Sequence, residues 1–330
     1  MWAYIVRRLL YYIPLYLCIL AVVLLLLRIN QNEAVAMQLG KQPSQEQIDL
    51  VTESLGLNKS KVEQYWDYIT DVLTLEFSAR SWDQQRPVGE MLRAAIVPTL
   101  MITVPSLLTT AVISIGIGLV CAFNRGRWLD RGLMFGAVLG MSVSYLVYII
   151  LGQYFGAYVL GDRMHITPFA IEGYESIFPR LEGGDGLFYP MNWVRFAMLP
   201  VIIGVIVAMG YDTRFYRAVM VEESGRDHIT TARAKGAGDA RIMSVHMLKN
   251  AMIPIISRIT ITLPFLITGS ILVEQYFNIP GMGRMLINGI VARDFPVVQA
   301  TVAVLAAAVI LTVILTDVAY ALVDPRVRLK

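Results

Sequence analysis

Between Ala94 and Asn124 the chain carries no charged side chain, and the same holds from Gly132 to Gly161. A helix rises about 1.5 Å per residue, so roughly 20 apolar residues cross a hydrocarbon core of about 30 Å. Both stretches exceed that length and can span with some tilt. The constraint sets the fold class, an all-α membrane protein. A mean hydropathy of +0.58, with 56% hydrophobic and only 16% charged residues over 330 positions, agrees with it.

Leu9 to Leu27 form a further apolar run behind Arg7 and Arg8. Ala34-Val35-Ala36 resembles a signal-peptide cleavage site, but the run exceeds the usual h-region of about 7 to 15 residues, which favours a retained anchor. Phe196 to Tyr211 and Ile259 to Val273 are shorter. Flanking Arg195, Arg214 and Arg258 can snorkel toward head groups and lengthen them, so both read as crossings. Phe295 to Thr316 makes six spans. With both termini on the N-terminal side, fifteen Lys and Arg lie on that side and eleven opposite, six of the eleven in the long 30–93 segment where the charge rule loses force. The termini are therefore expected in the cytoplasm.

The 30–93 segment is too long for a mere connection. Ser44 with Gln47 and Ser60 with Glu63 each fit a capping box. After the second box, Val62, Trp66, Ile69 and Leu73 recur at helical spacing. The expectation is a small two-helix extracytoplasmic element. Ten acidic residues against six basic ones suit either a solvated surface or a lid facing an extracytoplasmic partner.

No chemistry is legible in the chain. Cys18 and Cys121 lie within apolar runs, and His165, His228 and His246 are far apart, so no metal site and no disulfide framework is expected. The glycines of "KGAGDARI" and "PGMGRML" do not make a phosphate-binding loop, and no nucleophile elbow occurs. No catalytic residue or nucleic-acid partner follows. Only Arg28 and Asp317 lie near span ends, so carboxylates for proton or sodium coupling are missing. Energy then comes from outside this chain, or the protein is a passive pore. Gly132, Gly136 and Gly140, with Gly152 and Gly156, give small faces for close helix packing. Uncharged polar residues at depth either hydrogen-bond between helices or line a path. The path candidates are Ser142, Tyr145, Gln153, Thr262, Thr268 and Ser270.

One basic loop interrupts this pattern, "HITTARAKGAGDARI" at 228–242. Asp227 suits a helix N-cap, His228 to Lys235 make two turns, and Gly236 suits a left-handed terminus. Arg233 and Lys235 fall where cations oppose the helix dipole. After Gly238, Asp239 restarts a helix on which Ala240, Met243, Met247 or Leu248, and Ala251 share a face. The first helix is too short to persist in water unaided. Small Thr231, Ala232 and Ala234 would let a packing surface approach, either a partner or the chain's own membrane helices.

At these residues the chain resembles the membrane subunits of ATP-binding-cassette importers, within the dipeptide/oligopeptide permease group. "TARAKGAGDARIMSVHMLKNAMIPI" is similar to that group's coupling loop, with Ala232, Gly236, His246, Leu248, Asn250, Ala251 and Pro254 at family positions. Thr230 stands where the general motif has Glu. The likeness extends through "EQYFNIPGMGRMLINGIVARDFPVVQA", "ALVDPRVR", "VRRLLYYIP" and "LGLNKSKVEQYWDYI", essentially the whole chain. It implies 1–29 as N-terminal segment and first span, 30–93 as a scoop-like extracytoplasmic element, and 94–330 as the permease core with a coupling loop at 222–254. It also implies a second permease, two ATPase subunits that bind the ATP and Mg, and an extracytoplasmic binding protein, in the bacterial inner membrane. This chain itself would hold no cofactor. Asp227, Thr231, Ala232, Arg233, Ala234, Lys235, Gly236, Gly238 and Asp239 would form the coupling site. Peptides are the implied cargo, and nickel chelates or oligosaccharides belong to the same family. Outside it, a passive channel or secondary transporter remains the alternative.

Overall fold

The computed structural model describes residues 2–28, 58–74, 77, 79–161, 169–178 and 188–323, side chains at 2–9, 28, 262–270 and 316–323 excepted. Helix α1 spans Trp2–Arg28 and α2 spans Lys61–Thr74. The second capping box is formed: the Glu63 N–H donates to Ser60 Oγ at 3.2 Å and the Ser60 N–H to Glu63 Oε2 at 3.0 Å. The first box, Ser44 to Gln47, lies outside the described residues.

The face that α2 buries differs from the expected one. Tyr65 and Tyr68 turn inward, donating to the carbonyls of Leu17 and Gln299 at 2.7 Å each. Val62, Trp66 and Leu73 remain 68–78% exposed. Of the predicted stripe only Ile69 packs, beside Leu20 and Leu24. A tyrosine brings area and a hydroxyl that needs a partner, and two main-chain carbonyls supply it.

Helix α3, Val88–Phe123, has 36 residues. Helix α4, Trp128–Ser142, and α5, Tyr145–Leu151, which continues as a π-helix over Gly152–Val159, meet at 94°. The expected continuous span from Gly132 to Gly161 is thus broken. Val143 and Ser144 adopt extended backbone, and the Ser144 carbonyl accepts the N–H groups of Val147 and Tyr148 to start the new helix. No Gly or Pro announces the bend.

Helix α6, Met198–Ser224, is entered through Pro190–Asn192 and a π-turn at Trp193–Ala197. It runs beyond the predicted end at Tyr211 because its charges are matched. Asp212 accepts from Arg258 at 2.9 Å, and Arg217 grips both oxygens of Asp130 at 2.6 and 2.7 Å. Helix α7 is Asp227–Ala234. Helix α8, Leu248–Tyr276, follows one turn at Asp239–Arg241 and a π-turn at Ile242–Met247. Helices α9, Met282–Val291, and α10, Phe295–Val323, complete the order.

A row of small polar residues on α3, Thr99, Thr103, Ser106, Thr110 and Ser114, is buried, as is Gly118. A Cβ at Gly118 would come within 3.0 Å of Tyr216, and one at Gly204 within 2.7 Å of Ser106 Oγ. Both contacts share one sequence offset, so α3 and α6 run parallel at close backbone approach. The chain between them must return once, which makes the bent α4–α5 pair a single traverse. Among the described residues, nothing lies within 4 Å of a Cβ at Gly132 or Gly136. Gly152 and Gly156 do meet Ile203 and Leu199.

Thr99 bonds Glu274 at one end, while Ala122 joins Met247 and Ala251 in one apolar cluster at the other. Helix α8 therefore runs antiparallel to α3 over a common length of roughly 35 Å at 1.5 Å per residue. Among the described residues, four segments are long and apolar enough to cross a bilayer, Leu10–Leu27, Val88–Phe123, Pro190–Ser224 and Phe295–Leu315, or five with the bent pair as one. One end of the bundle, here the basic end, gathers the 124–131 turn and α7. The opposite end gathers α9 and the start of α10.

Candidate coupling element at the basic end

Eight residues cannot hold a helix unaided in water, so the fastening of α7 defines the site. Ile229 and Ala232, one turn apart, are buried at 3% and 7%. Ile229 packs with Tyr216 and Met220 of α6 and with Ile242, Met247, Ala251 and Ile255 around the start of α8. Removing so buried an isoleucine from water stabilises by about 1.5–3 kcal/mol. Asp227, Thr230, Thr231, Arg233, Ala234 and Lys235 are exposed. The nine predicted coupling residues thus lie together on one short element, but Ala232 faces the chain's own helices. Thr231, Arg233, Ala234 and Lys235 face outward.

The terminus at Gly236 forms as expected. Its φ is +79°, which only glycine adopts without strain. The Gly236 N–H donates to the Arg233 carbonyl at 3.0 Å and the Ala237 N–H to that of Ala232 at 3.1 Å, the paired bonds of a Schellman motif. Ala237 packs on the Ile229 cluster.

The helix starts shift by one residue. Arg226 in extended backbone precedes α7, and Asp227 is its first helical residue. Gly238 likewise precedes the helix that Asp239 begins. Neither aspartate caps with its side chain; both place negative charge in a first turn, where the dipole favours it. The predicted shared face forms in the main: Met247 and Ala251 are buried and Met243 and Leu248 pack on the same cluster. Ala240 is exposed instead and Ile242 is buried, where the wider π-turn resets the period.

The cluster that pins this element escaped the motif reading, which held His228 and Asn250 but not Glu223. Glu223, at the end of α6, meets Arg226 at 3.1 Å and His228 Nε2 at 3.2 Å. Asn250 Nδ2 lies 3.0 Å from the same His228 nitrogen and donates to the His246 carbonyl at 2.8 Å. One cluster therefore joins α6, α7 and the entry to α8. Deeper along the same helices, Arg258 pairs with Asp212 and lies 5.6 Å from the Phe215 ring centroid. It does not snorkel. The signal for this pair was present, opposite charges at the ends of two apolar runs.

The path candidates do not converge in the same way. Ser142 returns its hydroxyl to the Val138 carbonyl at 2.7 Å. Tyr145 packs against the apolar cluster around Ile149 and Ile203. Gln153 donates to the carbonyls of Ile171 and Tyr276, each at 3.0 Å. The side chains of Thr262, Thr268 and Ser270 lie outside the described set. Between α3 and α6, the hydroxyls of Ser106, Thr110, Ser114, Thr213 and Tyr216 are buried with no partner among the described residues.

A bundle of long apolar helices with a short docked helix at its basic end defines an all-α membrane protein. The fold matches the solved inward-facing MetNI methionine ABC transporter with a TM-score of 0.54 at 17% identity, over 71% of this chain and 96% of that one. Residues 114–329 match the family described as binding-protein-dependent transport system inner membrane component. Residues 1–89 match that family's N-terminal membrane component. The glutathione transport system permease protein GsiC of Salmonella typhimurium is 33% identical over 327 residues, and that of Escherichia coli K12 is 32% identical, each covering 99% of both chains. The chain belongs to this family and is an inner-membrane, multi-pass permease subunit of a binding-protein-dependent ABC importer.

Proposed function

We propose that the chain forms the membrane path for di- or oligopeptides, with six crossings, both termini in the cytoplasm, and α7 as the lever that receives the ATPase stroke. The observation that carries the reading is α7 itself. It is anchored by Ile229 and Ala232 on one side and presents Thr231, Ala234 and Lys235 on the other, where none of the described residues covers them. The Lys and Arg bias toward the basic end supports its cytoplasmic placement. The end-to-end course of α8 supports a sixth crossing. Glutathione, named for the relatives, is a tripeptide, which supports a peptide cargo for this chain.

In this mechanism a second permease subunit, two ATPase subunits holding ATP and Mg, and an extracytoplasmic binding protein complete the importer. Closure of the ATPase dimer moves α7, and the Glu223–His228–Asn250 cluster passes the displacement to α6 and α8 together. Coupling requires the exposed face of α7 to contact the two ATPase states unequally. The chain itself supplies packing and hydrogen bonds and no hydrolytic group. The test is uptake of radiolabelled peptide into vesicles containing the reconstituted complex, with Ala234→Trp as the variant. Uptake should fall to the level without ATP while membrane insertion stays normal; undiminished uptake would remove the lever assignment.

A further inference from the structure

The "PGMGR" stretch is only partly explained by packing. Glu274 is fully buried; its carboxylate accepts from Thr99 Oγ1 at 2.7 Å and from the Arg284 backbone N–H at 3.0 Å. Thr99 Oγ1 in turn accepts the Met282 N–H at 2.8 Å. A Cβ at Gly281 would overlap the Glu274 carboxyl, and one at Gly283 would press on Ile271. The two glycines and the glutamate therefore fix the first turn of α9. They use the backbone of Arg284 and leave its side chain unaccounted for.

That side chain lines a cavity of about 310 Å³ between α9, the 83–86 loop and the start of α10. The Nε of Arg284 is buried and meets no acceptor among the described residues. A buried guanidinium N–H without an acceptor carries its whole desolvation cost. Of the acids on the wall, Asp294 is already committed: it accepts from Ser81 Oγ, from the Asp83 N–H at 3.2 Å and from the Val297 N–H at 3.4 Å. Asp83 stands exposed at the rim with Arg86 and Gln84. The open hydrogen-bonding capacity is that of the Arg284 guanidinium within and of the exposed Arg86, Gln84 and Asn288 at the mouth, with Met91 and Met285 as apolar lining.

We propose that this cavity binds a carboxylate, with Arg284 as its inner ligand and Arg86 as its outer one. A planar guanidinium fork matches a carboxylate bidentately, and the volume is near the small end of ligand sites, about 300–1,000 Å³. The proposal rests on the permease reading for its setting, since the cavity then opens on the extracytoplasmic side. The carboxylate comes either from an acidic side chain of the docking binding protein or from the peptide cargo.

The probe is glutarate, with glutaramide as its neutral counterpart, titrated by calorimetry into the full complex in nanodiscs. Glutarate is expected to bind at least tenfold more tightly than glutaramide. Arg284→Gln should erase that preference, and Arg86→Ala, on the exposed rim where folding is not at risk, should reduce it several-fold. Equal binding of the two probes, or a glutarate affinity unchanged in both variants, overturns the proposal. The source is then read from two further measurements. A tenfold weaker docking of substrate-free binding protein to the Arg284→Gln complex assigns the carboxylate to that protein. Unchanged docking with a raised KM for peptide uptake assigns it to the cargo. Copurification of the ATPase subunits in the same preparation tests the permease reading separately, and its failure leaves the glutarate comparison standing.

Discussion

At the end opposite the basic loops, Glu274 and Asp294 are at most 2% exposed, and each closes the first turn of a helix by accepting a backbone N–H. At the basic end, α7 is held by one isoleucine, one alanine and a cluster whose arginine, Arg226, is 57% exposed. The first arrangement places carboxyl groups where water cannot compete and each polar atom needs a protein partner, so small displacements are costly. The second leaves most polar groups in water, where an ion pair is worth little. The contrast is between α9 and α7 and not between whole ends, since Arg217 grips the buried Asp130 beside the 124–131 turn at the basic end as well.

The sharpest way to break the comparison is Gly281→Ala. Its Cβ would occupy the place of the Glu274 carboxyl, so we predict a loss of more than about 3 kcal/mol, in the range of overpacking joined to a broken buried network. Yield of folded chain in membranes and protease protection of α9 measure it; normal yield would mean that the opposite end is softer than described. Asp212→Ala comes next. It strands Arg258 between α6 and α8, and breaking such a pair costs about 3–5 kcal/mol, readable as a lowered melting temperature of the purified complex.

Ile229→Ala should cost about 2–5 kcal/mol locally, loosening α7 while the opposite end keeps its protection from hydrogen exchange. Equal loss of protection at both ends would show that the two regions are not separable. Gly236→Pro should abolish ATP-dependent uptake with insertion intact, since proline cannot adopt the +79° φ found there. Arg226→Ala is the smallest change, about 0.2–1 kcal/mol, and uptake should stay within twofold of the wild type.

How far these features were legible depended on their range along the chain. The capping box at Ser60 and the left-handed corner at Gly236 were readable because each is closed by residues within five positions of one another. The inward face of α2 was not, since Tyr65 and Tyr68 find their acceptors on α1 and α10. The one-residue shift at Asp227 reflects the softness of helix ends. The cluster of Glu223, His228 and Asn250 comes from three separate elements, and Arg284 has no local pattern that marks its buried nitrogen.

The sequence by itself determined an all-α membrane chain with a basic, glycine-cornered element at one end, because transfer into lipid and backbone preference act over windows of a few to about twenty residues. Only the tertiary structure decided that the third apolar stretch bends by 94°, that Arg258 pairs with Asp212, and that α7 turns Ile229 inward. Those outcomes depend on which helix lies alongside which, and a charge or hydroxyl is buried only where another helix supplies its partner.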